Sequence, residues 1–161
     1  MGLKISSASP TLELEQELIS SGAKYVAGVD EVGRGALAGP VSVGVAIVCA
    51  DTGSIPTGLK DSKQISRQAR EKLIDPVSAW VVEYSIGHVA ASEIDEMGIV
   101  PALRLAWVRA HQQLAIKPDH VILDGKHNWL FEPESDLFTT PISDIVVPVT
   151  MKIKADASCA S

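Results

Sequence analysis

An apolar run, Tyr25-Val-Ala-Gly-Val29, ends in two adjacent carboxylates, Asp30 and Glu31. The chain then passes through glycines at 33, 35 and 39 and a single arginine, Arg34, before Pro40 opens a second apolar run, Val41 to Cys49. Two apolar runs bounded by a Gly-rich connection predict two buried strands paired as a hairpin, with both acids delivered to one end. Adjacent residues on a regular strand face opposite ways. Asp30 and Glu31 can therefore share one site only where the strand ends or bends, and the glycines make such a departure the expectation.

Two carboxylates about 4 Å apart repel by roughly 4 kcal/mol at an effective dielectric near 20. Divalent cations are the usual compensation, and oxygen-only ligands select Mg²⁺ or Mn²⁺ over zinc. On the dipeptide alone, a solvated acidic pair in a turn is the plainer alternative. Gly33-Arg34-Gly35 adds the opposite charge. Glycines let backbone N–H groups approach an anion, and arginine offers a fork of donors suited to phosphate.

Beyond this segment, Leu12, Leu14 and Leu18 among glutamates predict a short amphipathic helix over 11–20. Strands are expected over 24–31, 41–49, 80–89, 120–124 and 145–151, and Ser66 is placed to cap a helix running to Ile74. From Ile99, the positions Val100, Leu103, Ala106, Trp107, Ala110 and Leu114 recur at the period of one helix face, with Lys117-Pro118 as the stop. Residues 126–144, with Pro133 and Pro141, read as a long excursion. The order of elements suggests an α/β domain, a mixed sheet with helices packed on it.

Asp124 closes the apolar strand Val121-Ile-Leu-Asp124, a place where ligands bind in such sheets, and where a carboxylate serves equally well to cap a turn. The segment from Gly58 to Ile74 carries Lys60, Lys63, Arg67, Arg70 and Lys72 against Asp61 and Glu71, a local basic stretch within a chain of net charge −6. That overall charge excludes a protein that coats nucleic acid by bulk attraction. A length of 161 residues suits one core of ordinary domain size. Two cysteines far apart, Cys49 and Cys159, fit a reducing compartment, and the longest apolar run is too short to span a bilayer, so a cytoplasmic location is the expectation.

The segment from Tyr25 to Val41 resembles the signature of type 2 ribonuclease H, the bacterial ribonuclease HII family. Three further blocks follow in the family's order: Leu59-Lys-Asp-Ser-Lys63, the Leu-Asp-Gly ending at Gly125, and Lys154-Ala-Asp156. Ile94 to Ile99 resembles the family's approach to its long helix. The resemblance implies a ribonuclease H-like mixed five-stranded sheet flanked by helices, in a single catalytic domain over 1–161. It implies metal ligation and catalysis by Asp30, Glu31, Asp124 and Asp156, which would hold two divalent ions, Mg²⁺ or Mn²⁺. It assigns substrate contacts to Gly33, Arg34 and Gly35, whose main-chain groups would meet a 2′-OH, and to Ser62 and Lys63 near phosphates. The activity implied is cleavage of the RNA strand of RNA/DNA hybrids and incision at ribonucleotides embedded in duplex DNA, leaving 5′-phosphate and 3′-hydroxyl ends. A monomer with no membrane partner is expected. Against the family pattern, 126–144 reads as an insertion, and the C-terminal helical part is expected to be lacking. The alternative is therefore a truncated fragment, weak or inactive, that binds hybrid without cutting it.

Overall fold

The computed structural model describes residues 10–36, 38–125, 127–131, 145–152, 155 and 159–160. Helix α1 (Glu13–Ser20) leads into β1 (Tyr25–Val32) and β2 (Val41–Cys49), followed by a 3₁₀ turn at Ser62–Gln64 and α2 (Arg67–Trp80). Then come β3 (Glu83–Val89), α3 (Ala91–Met97), α4 (Ile99–Gln113), β4 (His120–Asp124) and β5 (Val149–Lys152). The five strands form one mixed sheet in the order β3-β2-β1-β4-β5. The first three pair antiparallel and β1, β4 and β5 pair parallel, as the element order suggested.

Strand alternation divides the sheet into two faces. One carries Val29, Val43, Val45, Ile47 and Leu123 against Ala102, Leu103, Ala106 and Trp107 of α4, all in one buried cluster. The closest approach is at Gly87 of β3, where a Cβ would overlap the Ala106 carbonyl oxygen, so helix and sheet can pack at this distance only over a glycine. The opposite face carries Val26, Val48 and Ile122 against Leu14 and Leu18 of α1, a smaller second cluster.

Several boundaries differ from the sequence expectation. Ser66 does cap α2, its Oγ accepting from the Ala69 N–H at 3.2 Å, but the helix runs on through Pro76 to Trp80. Asp75 and Pro76 both lie on the exposed side, so the missing N–H and displaced carbonyl face water rather than the core. Trp80 consequently ends a helix instead of starting a strand, with its indole N–H donating to the Gly53 carbonyl at 2.8 Å. The segment resembling a lead-in to the long helix is a separate helix, α3, set off from α4 at Gly98. Helix α4 stops at Gln113, earlier than Lys117-Pro118. The Lys117 ammonium satisfies the carbonyls of His111 and Leu114 at 2.6 and 2.7 Å, and the Glu83 carboxylate takes the N–H groups of Ala115 and Ile116. β5 begins at Val149: of Ile145 to Pro148, the Pro148 carbonyl accepts the Val121 N–H at 2.9 Å, while Val146 is almost fully exposed. Of the excursion at 126–144, only 127–131 are described, and there Trp129 and Leu130 are buried in the main core.

Candidate active site

The β1–β4 pairing sets the site. Its parallel register runs Val26 with His120 up to Val29 with Leu123, so the next residues along the two strands are Asp30 and Asp124. The opposite end of this pair is held by Asp119, whose carboxylate accepts the N–H groups of Lys24 and Tyr25 at 3.0 and 2.9 Å. The Asp119 N–H in turn donates to the Tyr25 carbonyl at 2.9 Å.

Asp30 and Asp124 both line a cavity of about 450 Å³ on the face away from α4. Its floor is made by Gly28, Gly44 and Ala46, small residues on neighbouring strands that leave the sheet surface low. Ile74 and Val77 of α2 wall the far side, and Leu59 to Ser62 form part of its margin. Asp30 Oδ1 accepts from the Glu31 N–H at 2.8 Å, and Asp124 Oδ1 from the Ala155 N–H at 2.9 Å. Backbone donors thus orient both carboxylates.

Glu31 is arranged differently. β1 stays regular through Val32, with Glu31 paired to Val43, so the strand ends one residue later than expected and Glu31 does not line the cavity. Its Oε1 instead accepts from Arg34 at 3.1 Å. The chain leaves the strand at Gly33, whose φ of 97° and close approach to the Pro40 carbonyl exclude a side chain; a Cβ would stand 2.5 Å from that oxygen. Arg34 and Gly35 continue this turn, both exposed.

Ser62 lines the cavity, and the Arg70 guanidinium fixes its carbonyl at 2.9 Å; the Lys63 backbone lies in the same 3₁₀ turn. Lys60 and Asp61 also line the cavity, although the sequence reasoning passed over them. The signal was there, since they sit within the same block as Ser62. Asp156 lies outside the described residues. Among the described residues, no three His, Cys, Asp or Glu side chains gather into a group able to hold a metal ion. Asp30 and Asp124 nevertheless supply an oxygen-only donor pair on one cavity wall, chemistry that fits Mg²⁺ or Mn²⁺.

Residues 27–161 match the family model described as ribonuclease HII. A ribonuclease HII from Streptomyces avermitilis is 44% identical over 155 residues, covering 94% of this chain and 59% of that protein. One from Streptomyces coelicolor is 50% identical over 127 residues, covering 77% of this chain and 53% of that protein. This chain thus spans a little over half the length of these curated relatives. The crystal structure of ribonuclease H2 from Pyrococcus horikoshii superposes with a TM-score of 0.58 at 29% identity, covering 83% of this chain and 64% of that one. Bst-RNase HIII, solved in complex with Mn²⁺, shares the fold with a TM-score of 0.53 at 22% identity, over 83% of this chain and 46% of its own. With a family match over residues 27–161, a relative 44% identical over 94% of the chain and a shared fold, this chain belongs to the ribonuclease HII family.

Proposed function

We propose that this chain carries the catalytic centre of an endoribonuclease that hydrolyses the RNA strand of RNA/DNA hybrids and incises duplex DNA at embedded ribonucleotides. The products are 5′-phosphate and 3′-hydroxyl ends. The observation that carries the reading is that Asp30 and Asp124, from the neighbouring parallel strands β1 and β4, line one cavity.

Asp30, Glu31, Asp124 and Asp156 would hold two divalent ions, Mg²⁺ or Mn²⁺, Glu31 on release from Arg34. When bound, such ions activate water and stabilise the leaving 3′-oxygen. The remaining work belongs to this chain's own groups. Asp30 and Asp124 are held in place by the N–H groups of Glu31 and Ala155. Gly33, Arg34 and Gly35 present backbone groups and a guanidinium to the strand at the ribonucleotide, where a 2′-OH separates RNA from DNA. Ser62 and Lys63 take up phosphates from the cavity margin.

The test is cleavage of a duplex holding one ribonucleotide, with Mg²⁺ and with Mn²⁺, beside an all-DNA control. Cleavage of the ribonucleotide duplex alone is expected, and equal cutting of the control would sink the specificity. Asp124→Asn keeps an oxygen to accept the Ala155 N–H, so the fold should survive while turnover falls by about two orders of magnitude or more. Undiminished turnover would remove Asp124 from the site. Tight binding of hybrid without any cleavage would favour a non-catalytic binding fragment instead.

A further inference from the structure

On the same sheet face as Asp30 and Asp124, the Ser42 hydroxyl and His88 Nδ1 lie 2.6 Å apart. Ser42 and His88 are cross-strand partners on β2 and β3, and Gly44, two residues from Ser42, is the partner of Asp30. Strand spacings of ~4.8 Å and a rise of ~3.3 Å per residue put the His88 backbone about 12 Å from that of Asp30. The pair stands outside the cavity lining, two residues beyond Gly44 and Ile86, which do line it. It also adjoins the Gly-Arg-Gly turn, because Gly33 packs on Pro40 and Val41, immediately before Ser42.

Resting on the function proposed above, we propose that His88, oriented by Ser42, donates from Nε2 to a phosphate of the nucleic-acid strand a few nucleotides from the ribonucleotide. Three observations carry it. His88 is exposed while its backbone is fixed twice, by the β2 ladder and by Arg109, which donates to the His88 carbonyl at 2.7 Å. The 2.6 Å contact engages Nδ1 and leaves Nε2 turned away from Ser42, and in the tautomer in which the hydroxyl donates, Nε2 carries the ring proton. The pair shares the sheet face of Asp30 and adjoins the turn at Gly33, which packs on Pro40 and Val41. A purely structural role for the pair would show as a change in melting with substrate binding unmoved.

The experiment measures kcat and KM on a ribonucleotide-containing duplex for the wild type, His88→Ala, His88→Gln and Ser42→Ala. It repeats the wild type and His88→Ala with single methylphosphonate linkages stepped along both strands. His88→Ala should raise KM about tenfold with kcat nearly unchanged, as expected for one lost hydrogen bond to a charged group. His88→Gln, whose amide can donate from nearly the same place, should recover most of that loss, and Ser42→Ala should fall between. One neutral linkage should weaken the wild type and leave His88→Ala unaffected. An unchanged KM, or a KM rise with every linkage penalty still present in His88→Ala, overturns the phosphate contact while leaving the cleavage reading intact. Failure of the wild type to cleave any ribonucleotide duplex overturns both.

Discussion

Single residues carry charge in two distinct ways in this protein. Asp30 and Asp124 each accept a backbone N–H and line the cavity, and Glu93 is tied to a cation. The Glu93 carboxylate meets Arg109 at 2.6 and 3.1 Å and accepts the Ala90 N–H at 2.9 Å, joining the start of α3 to α4. The Arg109 hydrogen bonds, and then the Ala90 N–H, hold its pKa down to about 2 from an ordinary 4.5. A carboxylate depressed in the folded state contributes stability that is complete above the unfolded value and is lost as pH falls through the folded one. The melting temperature of the wild type should therefore exceed that of Glu93→Gln at pH 7, with a gap that narrows progressively between pH 5 and pH 3. A gap independent of pH would show that the ion pair is not its source. Asp30 and Asp124 could be picked from the sequence because apolar strands end in them. The orientation of Glu31 could not, since it turns on whether the strand ends at 31 or at 32, and Glu31-Val32-Gly33 permits both.

At the scale of elements, α2 shows a stop signal overridden. The sequence pattern ends that helix before Pro76, yet it continues for four more residues and supplies Val77 and Ser78 to the cavity. Continuation is tolerated because the defect is exposed, and it still has a cost. Pro76→Ala restores a donor toward the Lys72 carbonyl and should stabilise the protein by about 1–2 kcal/mol, after allowance for the greater freedom alanine gives the unfolded chain. Urea denaturation measures this, and an unchanged or lower midpoint would mean that the proline fits better than the argument allows. The regular strands and α4 were legible because periodicity over many residues outweighs any one residue. The cavity was not, although its cause is in the sequence. Gly28, Gly44 and Ala46 are small, but that they share a face follows only from the register between strands distant in the chain.

For the whole molecule, assembly of the site depends on a contact at the far end of the sheet. Asp119 accepts two backbone N–H groups at the foot of β1, and thereby fixes which residues of β1 and β4 stand side by side at the top. Asp119→Ala leaves both donors to exposed solvent and should lower stability by about 1–2 kcal/mol, and Asp119→Asn, whose amide oxygen can accept both N–H groups, should recover most of the loss. Equal midpoints for Asp119→Ala and the wild type would show that the strand ladder alone sets the register. The parallel pairing of β1 with β4 also has a consequence in time. Asp30 and Asp124 stand 94 residues apart along the chain, as do Tyr25 and Asp119 that hold the register. At a synthesis rate of roughly 5–20 residues per second, several seconds separate the emergence of the two carboxylates from the ribosome. Throughout that interval β1 and β2 can pair locally while Asp30 stands without its neighbour. Until the fourth strand has been made, the cavity has only one of the two carboxylates that line it from neighbouring strands.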